Sequence, residues 1–170
     1  MTSLPMPNTT REIILGIDPG IGRTGFGVIE RRGAALTFRD AGIIKTSIGE
    51  PHAERLQELF SDLRDLIKQC RPTRAAVEKL FFVQNVTTGM QVSEARGVAL
   101  LALAQAHVPL TEFTPAEIKR AVTGSGNADK RQVREMVKRL LQLTKLPGAD
   151  DASDGLAIAI CASQAPRTTR

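Results

Sequence analysis

The sequence is poor in the residues that build disulfide frameworks and zinc sites. Its 170 residues include only two cysteines and two histidines, and with no tryptophan or tyrosine the six phenylalanines are its only aromatic side chains. Cys70 and Cys161 lie far apart without the spacing of metal ligands, which favours reduced, buried thiols over a disulfide. His52 and His107 have no neighbours that suggest catalysis, so we expect both to be structural.

Long apolar runs and an export signal are also missing. The longest apolar run, at 98–104, ends at Gln105 and is too short to cross a membrane. The first ten residues lack a basic segment followed by an apolar one, which predicts a loose tail and not a signal peptide. We therefore expect a cytoplasmic protein with a single domain at 11–164, between flexible tails at 1–10 and 165–170.

The excess positive charge is confined to one segment. The net charge is +5, and residues 117–145 contain eight Lys and Arg against three acids, so the rest of the chain is neutral. Such a segment is typical of a surface that meets phosphates, and Arg131 and Arg134 are candidates for DNA contacts. The alternative is a solvated helix face whose charges serve solubility.

Apolar periodicity and turn residues predict an α/β fold. We expect a mixed five-stranded sheet, with three antiparallel strands followed by parallel ones, flanked by helices. The predicted strands are 13–18, 26–29, one within 35–46, 75–78 and 108–113. The predicted helices are 51–70, 86–106, 114–124, 129–143 and 151–163, of which 86–106 is apolar around most of its girth. Glycines crowd the first hairpin, at 16, 20, 22, 25 and 27, and would let a phosphate backbone approach closely, although tight hairpins also need glycines.

Four carboxylates occur where burial is expected. Asp18 ends an apolar strand, Glu78 ends another, and Asp151 and Asp154 open an apolar helix on one shared face. Burying several like charges is costly unless a cation neutralises them. Oxygen ligands of this kind favour Mg²⁺ or Mn²⁺, and two such ions can promote in-line phosphoryl displacement.

Three of these acids have structural alternatives. Asp before Pro-Gly is common in turns, and Asp151 and Asp154 could be helix caps. Asp150 is four residues from Asp154, so helical geometry also allows that pair. Glu78 is the hardest to explain structurally, because it follows Ala-Ala-Val in a short buried strand.

Several ordered motifs together resemble the bacterial RuvC Holliday junction resolvase family over residues 13–163. They are Ile-Leu-Gly-Ile-Asp-Pro-Gly with Thr-Gly-Phe-Gly after it, Val-Glu-Lys-Leu-Phe at 77–81, Ala-Arg-Gly at 95–97, Ile-Lys at 118–119, Ala-Asp-Lys at 128–130 and Asp-Ala-Ser-Asp at 151–154. The resemblance implies a ribonuclease H-like fold and a homodimer that resolves four-way DNA junctions by paired symmetric nicks in recombination and repair. It also implies two Mg²⁺ ions per active site, which Mn²⁺ can replace, and work with the branch-migration proteins RuvA and RuvB.

The resemblance also assigns roles to individual residues. Asp18, Glu78, Asp151 and Asp154 match the metal-binding catalytic acids, which favours Asp151 over Asp150. Lys119 and Lys130 match basic residues near the scissile phosphate, and Phe81 matches an aromatic residue that contacts bases at the junction centre. Gly155 stands where alanine is usual, and we expect it to loosen the last helix slightly. Some relatives have histidine at the position of Asp151.

Three other functions are compatible with parts of the sequence. A glycine-rich turn after Ile-Asp also opens actin-like and sugar-kinase ATPases, but these need a second lobe for which 170 residues leave no room. A small RuvX-like protein of RNA processing is closer, although residues 78–81 and the basic helix argue against it. A non-catalytic nucleic-acid binder would not need all four acids.

Overall fold

The computed structural model describes residues 10–80, 86–148 and 150–166, except for the side chain of Asp150. The strands are β1 (Arg11–Asp18), β2 (Arg23–Arg32), β3 (Ala35–Lys45), β4 (Arg74–Glu78) and β5 (Leu110–Phe113). The helices are α1 (His52–Cys70), α2 (Val86–Gln105), α3 (Pro115–Thr123), α4 (Lys130–Leu140) and α5 (Asp150–Gln164).

The five strands form one mixed sheet in the order β3-β2-β1-β4-β5. The first three strands pair antiparallel, and β4 and β5 join the other edge in parallel. This arrangement confirms the fold class predicted from the sequence. Parallel pairing of β1 with β4 brings the carboxyl ends of both strands to the same edge of the sheet.

The two faces of the sheet are covered by different helices. One apolar core lies between the sheet and α3, α4 and α5, and includes Ile14, Val137 and Leu156. The second lies under α1 and α2, and includes Leu15 and Leu63. Because neighbouring residues of a buried strand point to opposite faces, β1 contributes to both cores.

Glycines let α5 lie directly on β1 and β2. A Cβ atom on Gly16 would stand 2.2 Å from the carbonyl oxygen of Gly155, and one on Gly25 would stand 2.1 Å from that of Asp151. A Cβ atom on Gly155 would stand 2.3 Å from the main-chain carbon of Phe26. The expectation that the hairpin glycines expose their backbone to phosphate is therefore wrong for Gly16, Gly25 and Gly27, which face α5. Gly155 permits close packing of the last helix and does not loosen it.

The ends of α3 and α4 follow from their capping residues. Thr114 and Glu117 form a capping box before α3, and Asp129 and Gln132 form one before α4. Helix α4 ends at Leu140, three residues before the predicted position, and Gln142 adopts a left-handed backbone with φ of 54°. Val133 and Val137 face the core, while the basic side chains of α4 lie outside.

At the opposite end of the sheet, two buried glutamates are paired with arginines. Glu12 lies 3.5 Å from both Arg31 and Arg74. The same two guanidiniums donate hydrogen bonds to the carbonyl of Ser163 near the end of α5 and to that of Ala165, which follows the helix. Glu30 is paired with three further guanidiniums, those of Arg11, Arg32 and Arg39.

No helix among the described residues is both long and apolar enough to span a bilayer. Both cysteines are free thiols, as predicted, with Cys161 buried and Cys70 half-buried. His52 contacts Glu94 between α1 and α2, and His107 has a left-handed backbone after α2.

Candidate active site

Three acidic residues meet where β1 and β4 end. Asp18 and Glu78 are the last residues of these parallel neighbours. Gly16 and Ala76, two residues earlier on each strand, contribute to the face covered by α5, so Asp18 and Glu78 point to that face as well. The close approach of α5 then brings Asp154 to the same edge.

These acids line one cavity together with two lysines. The cavity has a volume of about 340 Å³, and its polar lining comprises Asp18, Glu78, Lys119, Lys130 and Asp154. Side chains of α3, α4 and α5 form the apolar wall: Pro115, Ile118, Val133, Ala157 and Ile158. The structure thus brings together five of the predicted site residues from β1, β4, α3, α4 and α5.

Burial and mutual repulsion make two of these carboxyls weak acids. Burial is the largest cause that raises the pKa of Glu78 to about 8, followed by the charge of Asp18. Burial also raises the pKa of Asp18 to about 6, and the charge of Asp154 adds to the effect. Asp18 and Glu78 are also hydrogen-bonded to each other, which lowers the pKa of Asp18 and raises that of Glu78. Strongly perturbed carboxyls in one cleft are typical of functional sites.

The two lysines supply positive charge from the helix side. The Nζ atom of Lys130 lies 3.2 Å from Oδ2 of Asp154, and its charge favours ionised Asp18. Lys119 has the same effect on Glu78. Lysines so placed can stabilise negative charge that develops on a phosphate in the cavity.

The donor set fits a hard divalent cation. All three cavity acids offer carboxylate oxygens, which Mg²⁺ and Mn²⁺ prefer. Within the part of the chain that the structure describes, no three acidic, histidine or cysteine side chains could hold an ion as they stand. Asp18 and Glu78 are hydrogen-bonded to each other, which requires a proton between them, and Asp154 contacts Lys130. A cation would therefore replace a proton and an ammonium group at existing oxygens.

Asp151 is the one predicted acid that does not line this cavity. Its Oδ2 atom accepts a hydrogen bond of 2.6 Å from Nε of Arg23 on β2. The repulsion of Asp151 on Asp18 is smaller than that of Asp154. Arg23 was missed from the sequence, because nothing in a hairpin arginine signals a partner 128 residues away. The side chain of Asp150, the alternative to Asp151, lies outside the described residues.

A basic cavity adjoins the acidic one. It has a volume of about 520 Å³, and its charged lining consists of Lys130, Arg131, Arg134, Glu135, Lys138 and Lys145. Lys130 lines both cavities, so the basic surface begins at the acids. Lys138 and Lys145 belong to the charge excess of the sequence but had not been singled out as site residues. Phe81, the predicted base contact, lies outside the described residues.

The fold and the site together define a class. Carboxylates at the ends of β1 and β4 and on α5, on a sheet of three antiparallel and two parallel strands, identify a ribonuclease H-like nuclease. Comparison with known proteins gives the particular family. The family model for crossover junction endodeoxyribonuclease RuvC matches residues 14–162, and the chain belongs to this family.

Individual relatives agree with this assignment. The crossover junction endodeoxyribonuclease RuvC of Chloroflexus aggregans is 53% identical over 147 residues, which cover 86% of this chain and 90% of the relative. The protein of the same name from Rubrobacter xylanophilus is 51% identical over 152 residues, which cover 89% and 85%. Among solved structures, T. thermophilus RuvC in complex with Holliday junction substrate matches with a TM-score of 0.84 and 33% identity, covering 89% of this chain and 93% of that one.

Proposed function

We propose that the protein resolves four-way DNA junctions by paired symmetric nicks, in homologous recombination and DNA repair. The observation that carries the proposal is the single cavity in which three carboxylates and two lysines meet beside a basic surface. Membership of the RuvC family supports the junction as substrate. In each nick, a water oxygen attacks phosphorus and the bond to the 3′ oxygen breaks, which leaves a 5′-phosphate and a 3′-hydroxyl.

Asp18, Glu78 and Asp154 are proposed to hold divalent metal ions, with Asp151 as a further ligand. Two Mg²⁺ ions are expected per active site, with Mn²⁺ as a substitute, and they would supply an activated water and a stabilised leaving oxygen. The weak acidity of Asp18 and Glu78 supports this assignment, because a cation relieves the repulsion that now holds a proton in the site.

The lysines are proposed to act on the scissile phosphate. Lys119 and Lys130 line the same cavity as the acids. Each can donate to a phosphate oxygen and so stabilise the charge that develops in the transition state. A metal ion held by Asp154 would compete with Lys130 for the same carboxylate, and the ammonium group of Lys130 would then be available to DNA.

The basic surface is proposed to hold the DNA backbone that leaves the cavity. Arg131 and Arg134 extend the line of positive charge from Lys130, and Lys138 and Lys145 continue it. Arginine forks match phosphate oxygens well, and such contacts position DNA without reading its sequence. Phe81 is proposed to contact bases at the junction centre.

We further propose a homodimer, which would offer two active sites to a symmetric substrate. Helix α2 carries large exposed apolar side chains, with Val86 74%, Met90 61% and Leu101 51% exposed. A second copy is the partner that such a face would suit. Work with RuvA and RuvB is proposed on the resemblance alone, and a cytoplasmic location because junction DNA is there.

A nicking assay tests the proposed function. A mobile four-way junction and a linear duplex of the same sequence are incubated with protein and Mg²⁺, and the products are resolved on a denaturing gel. We expect paired nicks in the junction with little cutting of the duplex. Glu78→Gln and Asp154→Asn should bind the junction but not nick it.

The matched control is Glu135→Gln, which removes an acid that lines the neighbouring basic cavity. It should nick at nearly the rate of the unmodified protein. Unchanged nicking by Glu78→Gln and Asp154→Asn would refute the metal site. Equal affinity for junction and duplex would refute structure selectivity.

A further inference from the structure

Arg23 lies where it can reach the first turn of α5. It opens β2, and its neighbour two residues on, Gly25, packs against the main chain of Asp151. Alternate residues of a strand share a face, so the side chain of Arg23 points to α5 as well. It meets the carboxylate of Asp151 at 2.6 Å, in an ion pair whose side chains are 51% and 28% exposed.

The helix itself has little freedom at this point. A Cβ atom on Gly25 would stand 2.1 Å from the carbonyl oxygen of Asp151, so the backbones of β2 and α5 are already in contact. The backbone of α5 therefore cannot move closer to β2 at Asp151. Only the side chain of Asp151 can change partner, and the partner that it must leave is Arg23.

A metal ion that binds Asp151 must compete with the guanidinium of Arg23 for the same carboxylate. The guanidinium stays charged at all physiological pH values and cannot give up its place by losing a proton. A cation that recruits Asp151 must therefore displace Arg23 and also offset the loss of that ion pair. Among the described residues that line the cavity with Asp18, Glu78 and Asp154, none is an arginine.

We propose that Arg23 is a positioning residue that holds Asp151 away from the metal site and thereby weakens binding of the last metal ion. The inference rests on the proposed metal chemistry of this site. Three acids would then bind a first ion readily, while completion of the site by Asp151 requires a higher metal concentration. Arg23 sets that concentration through Asp151.

Mn²⁺ titration by calorimetry tests this role without any measurement of cleavage. We expect Arg23→Gln to tighten the weaker Mn²⁺ binding step about two- to fivefold, the range that an exposed ion pair contributes. Arg23→Lys keeps the charge but loses the planar fork, and should tighten that step by less. Arg64→Gln is the matched control, since Arg64 is also a half-exposed arginine paired with an aspartate, on α1; it should change nothing.

A double mutant separates positioning from general electrostatics. Removal of any nearby positive charge favours a cation, but an effect that acts through Asp151 must vanish in an Asp151→Asn background. Equal tightening by Arg23→Gln in both backgrounds would overturn the proposal, as would no tightening at all. Absence of Mn²⁺ binding by the unmodified protein would instead refute the proposed metal chemistry itself, and this inference with it.

Discussion

The two ends of the sheet bury acidic residues and treat them in opposite ways. At one end, Glu12 and Glu30 are each surrounded by arginines, and the Arg32 hydrogen bond lowers the pKa of Glu30. At the other end, Asp18 and Glu78 have each other as hydrogen-bond partners, and burial raises both pKa values. The strands that join the two ends are the same.

The comparison separates acids that stabilise the fold from acids that serve chemistry. A glutamate neutralised by guanidiniums has no capacity left for another cation. Two buried carboxyls that share one proton repel each other when both are ionised, and a metal ion can neutralise that negative charge. Functional carboxylates are therefore recognised by their partners more than by their burial.

The largest difference is expected in cleavage after one acid is neutralised at each end. Asp18→Asn should slow junction nicking by roughly a thousandfold, because metal-ion stabilisation of the transition state supplies several kcal/mol. Glu12→Gln should lower the melting temperature, since two guanidiniums lose their partner, but should leave the nicking rate of the folded fraction intact. Single-turnover nicking and thermal melts measure both. Similar nicking rates for Asp18→Asn and Glu12→Gln would contradict the proposed difference between the two ends of the sheet.

The second-largest effect is expected when α5 is displaced from the sheet, because α5 carries Asp154. Gly155→Ala places a Cβ atom against the backbone of Phe26, which we expect to cost about 1–3 kcal/mol and to slow nicking at least tenfold by moving Asp154. Gly97→Ala is the matched control for stability alone, because nothing within the same chain lies within 4 Å of that position on α2. It should stabilise the protein by about 0.5–1 kcal/mol. Urea unfolding measures the change in stability, and nicking rates measure the change in activity. Full activity of Gly155→Ala would contradict the proposed close packing of α5 on β2.

The pH dependence of stability should have opposite signs at the two ends. Folded Glu78 keeps its proton up to a pKa of about 8, while the unfolded group loses it near 4.5. The free energy of unfolding therefore falls as pH rises between these values, and Glu78→Gln should be more stable than the unmodified protein at pH 8 by at least about 1 kcal/mol.

Glu30→Gln should do the reverse. The lowered pKa of Glu30 stabilises the fold above pH 4.5, and this contribution is lost as pH falls further. The variant should therefore be the less stable protein at pH 8 and approach the unmodified one in acid. Denaturation in EDTA at several pH values measures both variants. Parallel curves for Glu78→Gln and the unmodified protein would refute the shared proton.

The smallest effect concerns arginines at the two ends. Arg131 lines the basic cavity beside the site, whereas Arg32 is held by Glu30. Arg131→Gln should reduce the slope of log binding constant against log salt by about 1, because one phosphate contact is lost. Arg32→Gln should leave the slope unchanged. Fluorescence anisotropy of a labelled junction in Ca²⁺ measures both, and equal slopes would remove Arg131 from the interface.

Sequence patterns predicted every strand of the sheet, because strand ends and helix periodicity are local, whereas Lys119 and Lys130 were assigned from the resemblance to the RuvC family. Glu78 stood out since an acid after Ala-Ala-Val lacks a structural reason, and β4 places it beside Asp18. The predictions that failed concerned contacts between residues that are far apart in the sequence. The role of the hairpin glycines was predicted from the neighbouring loop residues alone, although Gly16, Gly25 and Gly27 pack against α5. Likewise, the helical spacing of Asp151 and Asp154 gave no sign that Arg23 pairs with only one of them.

The contact of α5 with β1 also determines when the acidic cavity can form during synthesis of the chain. Asp18 belongs to β1 and Asp154 to α5, the first and last elements among the described residues, so the acidic cavity forms from residues that are far apart in the sequence. Such non-local contacts form late, and synthesis proceeds from the amino terminus at about 5–20 residues per second. A nascent chain that still lacks α5 has no complete acid cluster. The protein therefore gains its capacity to cut DNA only after α5 has been synthesised.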